Sequence, residues 1–273
     1  MKIFKCNVLL IAMLFTGGEL WAQKGENVRL IIEYNLSHII DSTQPENPYH
    51  RSFMLLVGNN SSLYDVSEII MEMTGRPTGS SHSSKQEASS YKSFATRNSL
   101  MMDFDNQKML TEASIMNTTY QVEEAIPVIN WMILPEQKKI NNYMCQKSVG
   151  YCLGRNYTAW FSAELPSRAG PWKLSGLPGL ILEAYDTSRE VVFQCTAVYP
   201  GFDGAKLIMP LKDVVKISPQ KYKKLKAAID NDPNSLNTKN GTLGNFVVSN
   251  VRSGSPAGVP AKPRKINNPI EKQ

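Results

Sequence analysis

Gly170-Pro171-Trp172-Lys173-Leu174-Ser175-Gly176-Leu177-Pro178-Gly179-Leu180-Ile181-Leu182-Glu183 is the stretch on which the architecture turns. Pro178-Gly179 suits the two central positions of a type II turn, because proline presets φ near about −65° and glycine accepts the positive φ that follows. The apolar run after that bend then enters a sheet. Gly176 and Pro171 would shape the loop before it, and Trp172 is large enough to pin that loop to the core or to line a groove. Nothing in the stretch supplies a nucleophile, a phosphate cradle or metal ligands. Its chemistry is architectural, and with Trp160 it makes Pro171, Trp172, Gly176, Leu177, Pro178 and Gly179 the candidate motif and binding surface.

The flanking segments read as strands. Before the stretch, Arg155 to Leu165 sets Tyr157, Ala159 and Phe161 against Thr158, Trp160 and Ser162. After it, Leu180 to Asp186, the turn Thr187-Ser188-Arg189 and Glu190 to Tyr199 form two short strands. Further upstream, Pro127 to Leu134 and Lys139 to Val149 read as a pair joined by a turn at Pro135-Glu136-Gln137, with a second turn over Gly150 to Gly154. Asn27 to Ile40 repeats Val28, Leu30, Ile32, Tyr34 and Leu36 with period two, and Arg51 to Val57, Ser99 to Phe104 and Thr118 to Val122 are further strand candidates. Short strands with tight turns imply an antiparallel sheet.

Two helices are expected. Leu63 to Met73 places Leu63, Val66, Ile69, Ile70 and Met73 at helical spacing. Ser218 is a plausible N-cap with Pro219 at the first helical position, Tyr222, Leu225, Ala228 and Ile229 form the apolar face, and Asn231-Asp232-Pro233 stops it. Thr74 to Ser93 reads as a loop. The fold class is mainly β (α+β): a curved antiparallel sheet, an open half-barrel being one form of it, packed with one or two helices.

At the N-terminus, Lys2 and Lys5 precede the apolar run Val8 to Phe15, then Gly17, Gly18 and Leu20-Trp21-Ala22. This is a secretory signal pattern with cleavage after Ala22, since spanning a bilayer takes about 20 apolar residues. The expected organisation is a signal peptide at 1–22, one β-rich domain at 23–251 and a flexible basic tail at 252–273. The expected location is exported, periplasmic or associated with an outer membrane, with no transmembrane span after cleavage. The formal charge of +6 falls by one when Lys2, Lys5 and Glu19 are removed. The basic clusters Lys221 to Lys226 and Arg252 to Lys272 lack the interleaved aromatics of a nucleic-acid groove, so no nucleic-acid partner is expected.

Cys145, Cys152 and Cys195 remain in the expected mature chain. An oxidising compartment favours pairing, an odd count leaves one over, and the pairing is open. On one straight strand Cys145 and Cys152 would sit about 23 Å apart, beyond disulfide reach. His38, His50 and His82 lack ligand spacing, no G-x-S-x-G elbow occurs, and Glu183 with Asp186 point to opposite faces of a strand. No catalytic, metal or cofactor site is expected.

The block GPWKLSGLPGLILE, together with Trp131, Tyr143-x-Cys145, Arg155, Ala159-Trp160-Phe161, Glu164-Leu165-Pro166 and Asn268-Pro269-Ile270-Glu271, resembles the GLPGLI family of exported proteins, found chiefly in Bacteroidetes. The resemblance is strong from about Tyr120 to Val198. It implies a Gram-negative envelope location and no particular activity. The leading functional expectation is a non-enzymatic module that binds an apolar ligand or an envelope protein. An accessory of an outer-membrane transport system and a hydrolase are the alternatives.

Overall fold

The computed structural model describes residues 25–66, 98–115, 118–202, 204–207, 214–231, 242–243, 246–247 and 267–272. The expected signal peptide, the loop at 74–93 and most of the expected tail lie outside them.

The strands are β1 (Glu26–Asn27), β2 (Leu30–His38), β3 (Tyr49–Val57), β4 (Ser61–Val66), β5 (Asn98–Asp103), β6 (Lys108–Ile115), β7 (Thr118–Ala125), β8 (Met132–Ile140), β9 (Tyr143–Cys152), β10 (Arg155–Ser162), β11 (Leu180–Asp186), β12 (Val191–Pro200), β13 (Lys206–Leu207), β14 (Val214–Lys216), β15 (Thr242–Leu243) and β16 (Phe246–Val247). Helix α1 (Pro219–Asn231) follows β14. Twelve strands form one open sheet in the order β14-β7-β6-β5-β4-β3-β2-β12-β11-β10-β9-β8. All neighbours are antiparallel except β14, which runs parallel to β7. The class is therefore mainly β, with a large, curved sheet packed by a helix.

Alternation along β2 sets the layers. Ile32 and Tyr34 face a core shared with Leu55, Tyr64, Leu100, Met102, Met109 and Leu182. Leu36 joins an adjoining core with Tyr157, Phe161, Leu174, Leu177 and Phe193. Ile31 points the other way, into Met54, Leu56, Leu63 and Leu207, where β13 pairs with β1. Curvature is direct in two bonds. Tyr34 Oη donates to the Ile181 carbonyl at 2.6 Å, skipping over β12. Asn141, at the β8–β9 tip, donates to the Cys195 carbonyl at 2.9 Å. A flat sheet would hold β9 and β12 about 14 Å apart, three strand spacings.

Four expectations are corrected. Leu63 to Val66 belongs to β4, not to a helix, and residues 67–73 lie outside the described set. Every residue of β4 is buried. A strand covered on both faces shows no alternation, so its apolar positions mimic helical spacing. Second, Pro135-Glu136-Gln137 is not the turn but lies within β8, where the ladder skips between Ile133 and Gln137. Proline donates no N–H and is tolerated at such an edge irregularity. The turn is instead Asn141-Asn142, with φ of 46° and 70°, the pair of left-handed residues that a two-residue hairpin requires. Third, Pro178-Gly179 is no type II turn, because Gly179 is absent from the positive-φ residues, which include Trp172 (54°) and Gly176 (96°). Gly179 is needed for closeness: a Cβ there would sit 2.3 Å from the Ser162 carbonyl oxygen. Fourth, Asn267–Lys272, assigned to the flexible tail, are docked on the sheet, with Asn268 buried.

Helix α1 starts as its sequence dictates. The Ser218 hydroxyl accepts from Lys221 N at 3.4 Å and its carbonyl from Tyr222 N at 2.9 Å. Leu225 and Tyr222 pack on Ile115 and Tyr120 at the β7 end of the sheet.

Candidate functional site

The signature loop plugs the sheet. Pro171, Leu174 and Leu177 are buried, while Gly176 and Pro178 are exposed. Leu174 N donates to the Pro171 carbonyl at 3.1 Å and Gly176 N to the Arg168 carbonyl at 2.8 Å. Trp131 Nε1 donates to the Ser175 carbonyl at 2.8 Å, tying the loop to the approach to β8. The half-buried Trp172 stacks on Phe193 with centroids 6.4 Å apart and tilts against Tyr157 at the same distance. Trp160 lies elsewhere, in the first core, under Lys138, whose Nζ is 4.5 Å from its ring centroid and 2.8 Å from Glu183 Oε1. The candidate motif residues thus do not converge on one solvent-facing surface.

Cys145, Cys152 and Cys195 are free, buried thiols. Cys145 and Cys152 occupy the single strand β9, seven positions apart, so they cannot pair. Burial pushes each of the three thiols up to about 11, which withholds the thiolate that nucleophilic chemistry uses. Among the described residues no group of three His, Cys, Asp or Glu gathers as a metal site. No helix among them is long and apolar enough to cross a membrane. A cleft of about 220 Å³ lies between β7 and the segment from β14 to the start of α1, lined by Gln121, Glu123, Lys216, Ile217 and Ser218.

Two surfaces carry chemistry that the residue patterns alone do not group. The first centres on Arg155, the opening residue of β10, which is buried. Its Nη1 donates to Asp186 and, at 2.8 Å, to Glu190 Oε2. Its Nη2 donates to Asn268 Oδ1 at 2.6 Å and to the Pro269 carbonyl at 2.8 Å, and Nε donates to the Ile270 carbonyl at 3.1 Å. All five guanidinium hydrogens are thereby used. His38, at the end of β2, meets the Asn268 carbonyl at 2.9 Å. Burial lowers the His38 pKa, and the bond to Arg155 lowers that of Glu190. The resemblance in the sequence already named Arg155 and Asn268 to Glu271, but 113 residues separate Arg155 from Asn268, so no local spacing could join them.

The second surface is the edge at β8, which pairs with no further strand among the described residues. Of the seven large hydrophobic residues exposed among those described, Val128, Met132, Ile133, Met144 and Tyr151 belong to β8, β9 or the approach to them. Gly150 lets Ile129 and Trp131 lie across β9, since a Cβ there would fall 2.8 Å from Ile129 and 2.7 Å from Trp131. Where the ladder skips, Gln146 Nε2 donates to the Leu134 carbonyl at 2.9 Å and Ser148 Oγ to the Met132 carbonyl at 3.0 Å. Side chains of β9 thus replace missing backbone bonds, and the strand stays attached.

No curated protein matches the chain. Residues 153–183, from the β9–β10 turn through the signature loop into β11, match the model of a family described as "Protein of unknown function (Porph_ging)". Two solved structures share the fold, "Structure of PNGF-II in P21 space group" (TM-score 0.54) and "Structure of PNGF-II in C2 space group" (0.51), both at 15% identity over 72% of this chain. The chain spans only 33% and 32% of those longer chains, so what it has in common with PNGF-II is a sheet architecture and not a whole protein.

Proposed function

We propose that this chain is an exported, non-enzymatic binding module of the cell envelope whose partner is a protein engaged at the β8 edge. The observation that supports a protein partner is a strand edge left unpaired among the described residues and flanked by the exposed apolar side chains Val128, Met132, Ile133 and Tyr151. Edge strands are usually guarded by proline, charge or bulges. In β8 the guards Pro135, Lys138 and Lys139 come after its first three residues, leaving Met132 to Leu134 uncharged. An extended segment can add there as a strand, with main-chain bonds giving affinity and apolar side chains giving specificity.

An apolar small-molecule carrier is favoured less, because the loop of residues 165–179 and the inner side chains of β2, β3 and β10–β12 fill the face that such a ligand would occupy. Exported location follows from the N-terminal signal pattern and the GLPGLI resemblance. The test is cross-linking in the native envelope with a photoreactive residue at position 132 or 133, repeated with Tyr151→Ser. A discrete protein adduct that Tyr151→Ser abolishes supports the reading. Lipid adducts in native mass spectrometry, without a protein adduct, would replace it with the carrier reading.

A further inference from the structure

The terminal segment Asn267–Lys272 is held as a peptide ligand is held. Its main chain is anchored at both ends: Asn267 N and Asn268 N reach the Ile40 carbonyl at 3.2 and 3.1 Å, and Lys272 N reaches the Leu153 carbonyl at 2.9 Å. Between these anchors, Arg155 takes the carbonyls of Pro269 and Ile270. Outer contacts are ionic, Glu271 with Lys173 at 2.8 Å and Lys272 with Glu190 at 3.1 Å. Asn267 Oδ1 accepts from Ser42 N at 2.8 Å, and its Nδ2 donates to Asp41 at 2.9 Å.

The cleft is complete without its occupant. His38 lies in β2, paired with β3 and β12. Arg155 lies in β10, paired with β9, and Asp186 lies in β11, paired with β10. With the segment gone, Arg155 keeps Asp186 and Glu190, so its charge stays paired and the body is spared the large cost of a lone buried ion. The cleft also selects. Asn268 offers its Oδ1 to Arg155, its Nδ2 to the Ile39 carbonyl at 2.7 Å and its carbonyl to His38. Aspartate there would lose the donor. Ile270 packs against the second core. Gly154 clears the path, since a Cβ would stand 2.2 Å from the Lys272 carbonyl oxygen.

We propose that the Arg155 cleft is a peptide-binding site for an Asn-Pro-aliphatic-acidic segment, and that the chain's own Asn267–Lys272 is its occupant, releasable and rebindable while the sheet stays folded. The partner at the β8 edge is independent of this.

The full chain with a specific protease site inserted between Ser255 and Lys262 tests it. After cleavage of the folded protein, the body is challenged with fluorescein-labelled Lys-Ile-Asn-Asn-Pro-Ile-Glu-Lys-Gln, and circular dichroism follows its fold. The expected result is saturable uptake of the labelled peptide with an unchanged far-ultraviolet spectrum. A peptide carrying Asn268→Ala should bind at least about tenfold more weakly, as expected when hydrogen bonds to a charged group are lost. Gly154→Val in the body should block uptake. The proposal is overturned if the peptide enters only under unfolding conditions, if Asn268→Ala binds equally well, or if the cleaved piece departs and no peptide is taken up.

Discussion

The Arg155 cleft on β10 and the β8 edge lie two strands apart in one sheet, yet they solve opposite problems. At Arg155 five donors are buried and all are answered, three of them by the end of the chain. At β8 several apolar side chains lie exposed. Burying an unpaired charge costs several kcal/mol or more, whereas exposing apolar surface costs only about 25 cal/mol per Å². A chain can therefore leave Met132 and Ile133 in water, but must bring a partner to Arg155.

The sharpest break of that contrast is Arg155→Leu. It strands Asp186 and removes the anchor of the terminal segment, and it should cost about 3–5 kcal/mol in chemical denaturation. A loss below about 1 kcal/mol would mean that the network is no more than a surface pair. Next, Gly179→Ala forces a methyl against the Ser162 carbonyl and should cost about 1–3 kcal/mol, without touching the cleft. Peptide uptake unaltered in that variant would separate the signature loop from the Arg155 site.

Acid should act on the cleft before the edge. His38 has a lowered folded pKa, so the unfolded chain binds more protons and stability falls as pH drops below the ordinary histidine range. Glu190, also lowered, adds loss in the same direction at more acid pH, as its carboxylate and hence its bond to Arg155 is titrated away. Denaturation curves measured across that range should show the slope, and His38→Gln should remove its upper part. The smallest stability effect belongs to the edge: Met132→Lys with Ile133→Lys should shift stability by no more than about 0.5 kcal/mol each while abolishing partner cross-linking. A large drop in stability would show instead that these side chains serve the fold.

Legibility in the sequence followed the range of the forces. Leu180–Asp186 is a strand with the bounds of the apolar run after the Pro-Gly bend, and Val191–Pro200 and Leu30–His38 follow their patterns closely because one covered face writes a period-two alternation there. The α1 start was legible for the same local reason, a capping serine before a proline. By contrast, β4 is buried on both faces and β6, Lys-Met-Leu-Thr-Glu-Ala-Ser-Ile, lacks clean alternation, so its strand identity comes from its neighbours β5 and β7. Trp172 took a left-handed conformation that no propensity favours, held by stacking on Phe193.

By itself, the amino-acid order determined the β-rich class, the helix at Pro219 and the architectural character of the signature loop, since alternation, capping and backbone restriction act over a few residues. Only the tertiary structure decided which strand became an open edge, and that the asparagine of the last described segment would answer an arginine 113 positions earlier. Those outcomes depend on curvature and on the pairing of buried charge, which exist only once distant strands have met.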